Sequence, residues 1–198
     1  MYPAAKRAFD LVATGVGVLF LAPVFFLISA WIYLEDRGPV FFAQRRVGKG
    51  GREFTFWKFR SMCVDAEERL AALAGQSEDE SRFKMRRDPR ITRVGAFLRR
   101  TSLDELPQLF NVLFGDMSLV GPRPALPEEV ADYDAKAARR LEVEQGITCL
   151  WQVSGRSLLS FEEQIDLDLK YIESRGLLYD AWLLIRTVPA VVLGTGAY

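Results

Sequence analysis

The residues best suited to chemistry stand in the segment 101–107, TSLDELP, where Asp104 and Glu105 open a helical apolar stripe that continues to Phe114. The partial positive charge at a helix N-terminus keeps a carboxylate ionised and attracts phosphate. Such a carboxylate can attack phosphorus and form an acyl phosphate when Arg, Lys or a divalent metal neutralises the phosphate. Arg99 and Arg100 supply fixed positive charge just before this segment.

A purely structural interpretation of the same segment is also available. Ser102 and Glu105 match a capping box, and acidic residues in a first helical turn stabilise the helix dipole. Spacing by itself favours this interpretation over the chemical one, so the carboxylate pair needs support from other residues.

The composition narrows the possible chemistry. The 198 residues include no histidine, which excludes Ser-His-Asp triads, Cys-His pairs and imidazole-ligated metals. Two cysteines, Cys63 and Cys149, lack the paired spacing of zinc sites and predict neither a disulfide framework nor a redox motif. The 26 basic and 26 acidic residues cancel, which argues against a general polyanion binder, and no nucleic-acid partner is expected.

Two further loops and one basic stretch are candidates for phosphate binding. Residues 120–124, VGPRP, form a rigid loop that fixes Arg123, and residues 152–157, QVSGRS, form a polar loop; either could equally be a surface turn. The stretch 82–100 could bind a phosphate or anionic lipid headgroups. Its basic residues are Arg82, Lys84, Arg86, Arg87, Arg90, Arg93, Arg99 and Arg100, against Asp88 alone.

The N-terminal segment predicts membrane contact. From Leu11 to Leu34 the chain carries no charged residue. This segment is long enough for a helix that spans a bilayer, and a helix that is apolar on all sides suits lipid better than a protein core. Pro23 interrupts this run, and basic residues flank both of its ends. Because Lys and Arg prefer the cytoplasmic side, a helix that breaks at Pro23 and re-enters the same leaflet fits better than a kinked spanning helix.

The remaining patterns predict an α+β fold that is mostly helical with a small β-hairpin. Two aromatic and β-branched runs around Lys49-Gly50-Gly51 predict the hairpin. Helical patterns follow at 64–73, 103–114, 126–143 and 160–174. The apolar tail 177–193 is interrupted by charges and a proline and predicts an interfacial helix. We expect residues 1–36 to form the membrane anchor and residues 37–198 the catalytic domain, integrated with it.

Four sequence blocks together resemble the bacterial sugar transferases, the monotopic polyprenyl-phosphate phosphoglycosyl transferases. They are KFRSM at 58–62, DPRITRVGAFLRRTSLDELPQLFNVLFGDMSLVGPRP at 88–124, GITCLWQVSGRS at 146–157 and GTGAY at 194–198. The resemblance implies transfer of a sugar-1-phosphate from a UDP-sugar to undecaprenyl phosphate, with release of UMP, in exopolysaccharide, O-antigen or related glycoconjugate synthesis. The residues WQVSGRS at 151–157 and the GAY terminus resemble members of the family that use a UDP-hexose, with galactose or glucose as the sugar.

The resemblance also implies the roles of individual residues. Asp104 becomes the nucleophile that forms a phosphosugar-aspartyl intermediate and also the protein ligand of Mg²⁺, and Glu105 assists it. The residues that the resemblance implies for substrate binding are Lys58, Arg99, Arg123, Gln152 and Arg156. A re-entrant anchor in the bacterial inner membrane, contact with membrane lipids, a catalytic domain that faces the cytoplasm and a possible homodimer follow by the same analogy.

Two departures from the family pattern and two rival functions complete these expectations. Ala22 precedes Pro23 where the family often has Ser, and Cys149 stands where Gly is usual, so its side chain could narrow the adjacent loop.

A membrane-anchored module that binds polyanions or lipid headgroups without catalysis is the main alternative, and a phosphodiesterase that frees sugar phosphate without a lipid acceptor is the other.

Overall fold

The computed structural model describes residues 2–73, 88–155 and 158–193 and is mostly helical in these ranges. In chain order the elements are α1 (Tyr2–Asp36), β1 (Phe41–Val47), β2 (Glu53–Phe59), α2 (Ala66–Leu73), α3 (Arg93–Arg100), α4 (Gln108–Phe114), β3 (Ser118–Val120), α5 (Pro127–Ala131), α6 (Ala135–Ala138), β4 (Gly146–Thr148), α7 (Leu150–Ser154), α8 (Phe161–Ser174) and α9 (Leu177–Leu193). Short 3₁₀ turns occur at Lys49–Gly51, Leu103–Glu105 and Arg139–Glu142.

Helix α1 is long and apolar enough to cross a membrane, and only 11% of its apolar window is buried, which is unlike a core helix. Both of its ends are attached to the rest of the protein. Near the start, the Lys6 ammonium donates to the fully buried carboxylate of Asp180 at 2.8 Å. At the other end, Asp36 forms an ion pair with Arg60. Between these ends most side chains are at least partly exposed, and Phe20 is 82% accessible, whereas Asp10, Thr14, Ile28 and Ile32 are buried.

The predicted β-hairpin is present. Strands β1 and β2 pair antiparallel with Phe41 opposite Phe59 and Val47 opposite Glu53. Gly50 and Gly51 both have positive φ angles in the connecting turn, a conformation that glycine adopts at little cost. The hairpin packs against α4, where the buried amide of Asn111 accepts from the Trp57 backbone N–H and donates to the Thr55 carbonyl.

Two apolar clusters organise the interior. The larger one joins β2 and α4 to helices α7, α8 and α9 around buried side chains such as Phe56, Val112 and Leu183. The smaller one packs Ile28 and Ile32 of α1 against Phe59 of β2 and against α3. Strand β2 and helix α1 contribute to both clusters, so the hairpin and α1 are packed together with the rest of the protein.

The sequence-based predictions of single elements had mixed outcomes. The bounds of α9 and the end of α8 were predicted correctly, and α9 leaves Leu178, Ile185 and Val188 exposed, although its position at a membrane interface stays a prediction. The single helices expected over 103–114 and 126–143 were wrong in detail, because both segments break into shorter helices and 3₁₀ turns. The parallel pair β3–β4 was not predicted. The expected boundary between an anchor at 1–36 and a domain at 37–198 also stays a prediction.

Candidate active site

A single cleft of about 1620 Å³ contains most of the predicted site residues. Its lining includes Lys58, Arg99, Asp104, Glu105, Arg123 and Gln152. These residues come from β2, α3, the 3₁₀ turn before α4, the loop after β3 and α7. Arg156 and the basic residues 82–87 lie outside the described residues, so the structure says nothing of their positions. The volume exceeds that of a typical small-molecule pocket and is large enough for more than one substrate.

Asp104 and Glu105 lie in the 3₁₀ turn Leu103–Glu105 rather than inside a regular helix. Ser102, which precedes the turn, adopts a left-handed conformation with φ of 55°, costly for a residue with a side chain. Its hydroxyl makes no capping hydrogen bond, so the capping box suggested by the sequence is absent. Pro107 instead begins α4, and the turn presents both carboxylates to the cleft.

Glu105 is clamped by two cations. Lys58 Nζ donates to Glu105 Oε1 at 3.0 Å, and the Arg123 guanidinium donates to both carboxylate oxygens at 2.6 and 3.2 Å. Burial would raise the pKa of Glu105, but the charges of Arg123 and Lys58 outweigh it and hold that pKa well below its ordinary value. Glu105 is therefore ionised at every physiological pH, and its oxygens are already engaged.

Asp104 differs from its neighbour in both respects. Its side chain accepts no hydrogen bond from the described residues, and the Lys58 ammonium lies 3.8 Å from its Oδ2 atom. Asp104 is only 7% exposed, and this burial raises its pKa despite the nearby charges of Lys58, Arg99 and Arg123. The pair thus consists of one neutralised, immobilised carboxylate and one carboxylate with free lone pairs.

The loop that carries Arg123 is fixed from three sides. The backbone N–H of Val47 donates to the Ala125 carbonyl at 2.9 Å, which ties the loop to β1. The buried Arg140 donates to the carbonyl oxygen of Arg123 at 3.3 Å. At Gly121 an added Cβ would lie 2.2 Å from the Glu144 carbonyl oxygen, so only glycine permits this close backbone approach. These contacts give the Arg123 guanidinium a defined direction toward Glu105.

The other predicted binding residues differ in how closely they approach the carboxylates. Arg99 lines the cleft and acts on Asp104 through its charge, but it forms no ion pair within the described residues. Gln152 accepts a hydrogen bond from the buried thiol of Cys149 at 3.0 Å. Cys149 is fully buried, and burial raises the pKa of its thiol. The cysteine thus orients a cleft residue instead of protruding into the cleft.

Sequence reasoning missed several residues that build this site. Asn111 holds β2 against α4 and so brings Lys58 to the 3₁₀ turn, and Arg140 holds the Arg123 loop. Both lie in helical patterns where a polar residue suggests only a solvated face. Tyr133, Phe161 and Gln164 also line the cleft, and no spacing rule connects them to the carboxylates.

The described residues contain no group of three or more Asp, Glu, Cys or His side chains that could hold a metal on their own. Asp104 has unoccupied oxygen lone pairs, whereas those of Glu105 face Lys58 and Arg123. Mg²⁺ is commonly held by one or two carboxylates, with phosphate and water oxygens completing its shell. The residues present therefore fit a magnesium ion shared with a bound phosphate, but not one held by the protein alone.

Comparison with known proteins identifies the family. The family model described as bacterial sugar transferase matches residues 1–194. The chain is 41% identical to the exopolysaccharide production protein ExoY of Rhizobium meliloti, covering 98% of this chain and 88% of that protein. It is 45% identical to the galactosyl transferase CpsE of Streptococcus agalactiae and 41% identical to the undecaprenyl-phosphate galactose phosphotransferase of Salmonella typhimurium.

The last two relatives are longer. The chain aligns over 98% of its own length with each of them but spans only 43% of CpsE and 41% of the Salmonella protein. The match nevertheless includes every block that carries the cleft residues described above. The chain belongs to the bacterial sugar transferase family.

Proposed function

We propose that this protein transfers a sugar-1-phosphate, with hexose as the sugar, from a UDP-sugar to undecaprenyl phosphate and releases UMP. The names of the relatives support this direction, since they include undecaprenyl-phosphate galactose and glucose phosphotransferases and exopolysaccharide production proteins. The observation that carries the proposal is the unequal carboxylate pair, in which Glu105 is clamped by Lys58 and Arg123 while Asp104 accepts no hydrogen bond from the part of the chain that the structure describes.

In the first step an Asp104 oxygen attacks the sugar-bearing phosphorus of the donor. A new P–O bond forms to the carboxylate, the bond from phosphorus to the bridging oxygen breaks, and the electron pair leaves with UMP. Lys58, Arg99 and Arg123 surround the reacting phosphate with positive charge, which offsets the repulsion between two anions. Glu105 keeps Lys58 and Arg123 in place without neutralising all of their charge.

In the second step a phosphate oxygen of undecaprenyl phosphate attacks the same phosphorus. The bond to Asp104 breaks, the carboxylate is regenerated, and the product is an undecaprenyl diphosphosugar. Both steps use one phosphate site in turn, so a small cleft can serve two large substrates. When bound by Asp104 and the substrate, Mg²⁺ would supply further neutralisation of the phosphate charge.

We propose further that α1 enters the membrane without crossing it. Lys6 and Asp36, near opposite ends of α1, both contact the same compact body. A straight span would separate them by the roughly 30 Å hydrocarbon core, and one contact would then be lost. Helix α1 is continuous through Pro23, which removes one of its backbone hydrogen bonds and favours a bend there. This bend and the exposed apolar middle support a re-entrant helix in the bacterial inner membrane, with the body on the cytoplasmic side. That the protein forms a homodimer stays a prediction.

The test combines turnover with trapping of the intermediate. Purified protein in detergent, given UDP-galactose or UDP-glucose, Mg²⁺ and undecaprenyl phosphate, should release UMP and form the lipid product. With the donor alone, intact-mass spectrometry should find one hexose phosphate added to the chain, and peptide mapping should place it on Asp104.

Other outcomes would contradict the proposal. Continuous UMP release without a lipid acceptor would identify a phosphodiesterase. Salt-sensitive binding of anionic vesicles without any UMP formation, unchanged in Asp104→Asn, would identify a non-catalytic headgroup-binding module. Turnover without any trapped adduct would favour direct transfer between the two substrates.

A further inference from the structure

The cleft around Glu105 includes two regions with aromatic side chains. Lys58 and Arg123 both donate to Glu105 Oε1, at 3.0 and 2.6 Å, and both line the cleft. The cleft must hold a nucleotide and a polyprenyl chain in turn if the proposed function is correct. The chemistry of each region indicates which of the two it suits.

One region of the cleft lies beside α1. Phe59 of β2 lines it, and its ring lies 5.4 Å from the rings of both Phe41 and Phe25. Phe25 belongs to the apolar helix α1, so this region adjoins the exposed apolar helix. Its aromatic side chains suit an isoprenoid chain.

A second region of the cleft is connected to Arg123 and combines aromatic with polar side chains. Arg140, which holds the Arg123 carbonyl, also donates to the Tyr133 hydroxyl at 2.6 Å. The Tyr133 ring lies 6.2 Å from that of Phe161, whose side chain is 45% exposed although it lines the cleft. This region therefore offers the partly exposed ring of Phe161, next to Tyr133. Hydrogen bonds through Arg140 connect Tyr133 to the backbone of Arg123.

Gln164 adds a polar group to the same surface. It follows Phe161 by three positions on α8, so the two side chains lie on one face of that helix. Its amide nitrogen donates to the Leu159 carbonyl at 3.0 Å, which fixes the orientation of the amide. The amide oxygen Oε1 accepts no hydrogen bond from the residues that the structure describes and is available to a ligand.

We propose that Tyr133, Phe161 and Gln164 form the subsite for the uracil ring of the donor, an inference that rests on the proposed function. The uracil stacks on Phe161, and its N3–H donates to Gln164 Oε1. The sugar is bonded to the phosphorus that Asp104 attacks, so it lies beside the carboxylates. The uracil is separated from that phosphorus by a second phosphate and the ribose, which fits a surface joined to Glu105 by hydrogen bonds through Arg123 and Arg140.

The experiment measures the binding of UMP, the proposed product, by calorimetry and by inhibition of turnover. Phe161→Ala should weaken UMP binding by about 5- to 150-fold, the range for loss of one base-stacking contact. Gln164→Leu should weaken it by about 2- to 10-fold, as expected for one neutral hydrogen bond. In both variants the KM for the UDP-sugar should rise in parallel while kcat changes little.

Two controls make the result specific. Ribose 5-phosphate, which lacks the base, should inhibit the wild type and Phe161→Ala equally. Phe114→Ala removes a more exposed phenylalanine, 74% accessible, that does not line the cleft, and it should bind UMP as the wild type does. Thermal unfolding of each variant checks that the fold is intact.

Unchanged UMP affinity in Phe161→Ala, with the wild type active, would overturn the assignment. A shift in preference between UDP-galactose and UDP-glucose without a change in UMP affinity would place the sugar there instead and would also overturn it. Calorimetry with UMP does not need turnover, so absence of UMP release by the wild type would contradict the proposed function separately from this subsite.

Discussion

Replacing Asp104 with asparagine should abolish turnover without weakening the fold, whereas Glu105→Gln should weaken the fold. The Asp104 carboxylate accepts no hydrogen bond within the described residues, and its burial raises its pKa, so its charge opposes folding at neutral pH. The neutral amide of asparagine removes this penalty, because burial disfavours only the charged form of the side chain. The Asp104→Asn variant should therefore melt at the same temperature as the wild type or higher.

For Glu105 we expect the opposite effect on stability, because its charge stabilises the fold. Its oxygens accept three hydrogen bonds from Lys58 and Arg123, and its side chain is 19% exposed. Loss of a hydrogen bond to a charged group costs about 1.5–3 kcal/mol, and partial exposure reduces this cost toward about 1–2 kcal/mol. For a chain of this length the melting temperature should fall by about 2–8 °C.

The assay pairs thermal unfolding in one detergent with UMP release at saturating substrates. Asp104→Asn should fall below about one thousandth of the wild-type rate, since loss of a single transition-state hydrogen bond already costs about 10²–10³-fold in other enzymes. Intact-mass measurement with the donor alone should show no adduct. Measurable turnover by Asp104→Asn, or a larger drop in its melting temperature than in that of Glu105→Gln, would refute the assignment of roles within the pair.

Three further predictions concern pH, the attachment of α1 and the packing of α3. Because burial raises the pKa of Asp104 above its ordinary value of 3.8, protonation should inactivate the free enzyme, and kcat/KM for UMP release should begin to fall while the pH is still above 4; an acid limb below pH 4 would contradict this. Asp180→Ala removes the carboxylate 2.8 Å from the buried ammonium of Lys6 and leaves that ammonium, among the described residues, only Asp10, 3.9 Å away; the substitution should lower the free energy of unfolding by about 3–5 kcal/mol in urea titrations, and a loss under 1 kcal/mol would show that the pair is not needed. Gly95→Ala would place a Cβ 1.9 Å from the carbonyl oxygen of Ser61 and should destabilise the protein by at least about 1–3 kcal/mol. The matched Gly17→Ala, inside α1 and with no atom within 4 Å of the added carbon, should not lower the melting temperature.

The elements that could be predicted from sequence are those whose signal is local. The hairpin follows from aromatic and β-branched runs around Gly50 and Gly51, and α9 follows from an apolar helical pattern that two charges and a proline interrupt without ending it. The pair β3–β4 could not be predicted, because each strand has three residues and its partner is supplied by a distant segment. A period cannot be read from three positions, and parallel pairing depends entirely on the surrounding fold.

The candidate site shows the same division. The family resemblance named Asp104, Glu105, Lys58 and Arg123, but no local rule shows that Lys58 reaches Glu105 across 47 positions of the sequence. The capping box failed for a related reason. Local spacing favoured Glu105 bonding back to the backbone at Ser102, whereas two cations from distant segments bind its carboxylate more strongly. A long-range charged contact outweighed a local neutral one.

The different environments of Asp104 and Glu105 meet two opposing requirements of the proposed reaction. The group that attacks phosphorus in the first step must leave it in the second, so its basicity has to serve both. Burial raises the pKa of Asp104 and makes its carboxylate a better nucleophile, but the same change would make it a poorer leaving group. Lys58, Arg99 and Arg123 offset this, because their charges stabilise the carboxylate as it departs. If Glu105 were not held by Lys58 and Arg123, its charge would add to that of Asp104 and repel both phosphates. Removal of the clamp by Arg123→Ala should therefore slow formation and breakdown of the adduct alike, and a variant that slowed only one step in rapid-quench experiments would show that the clamp acts on that step alone.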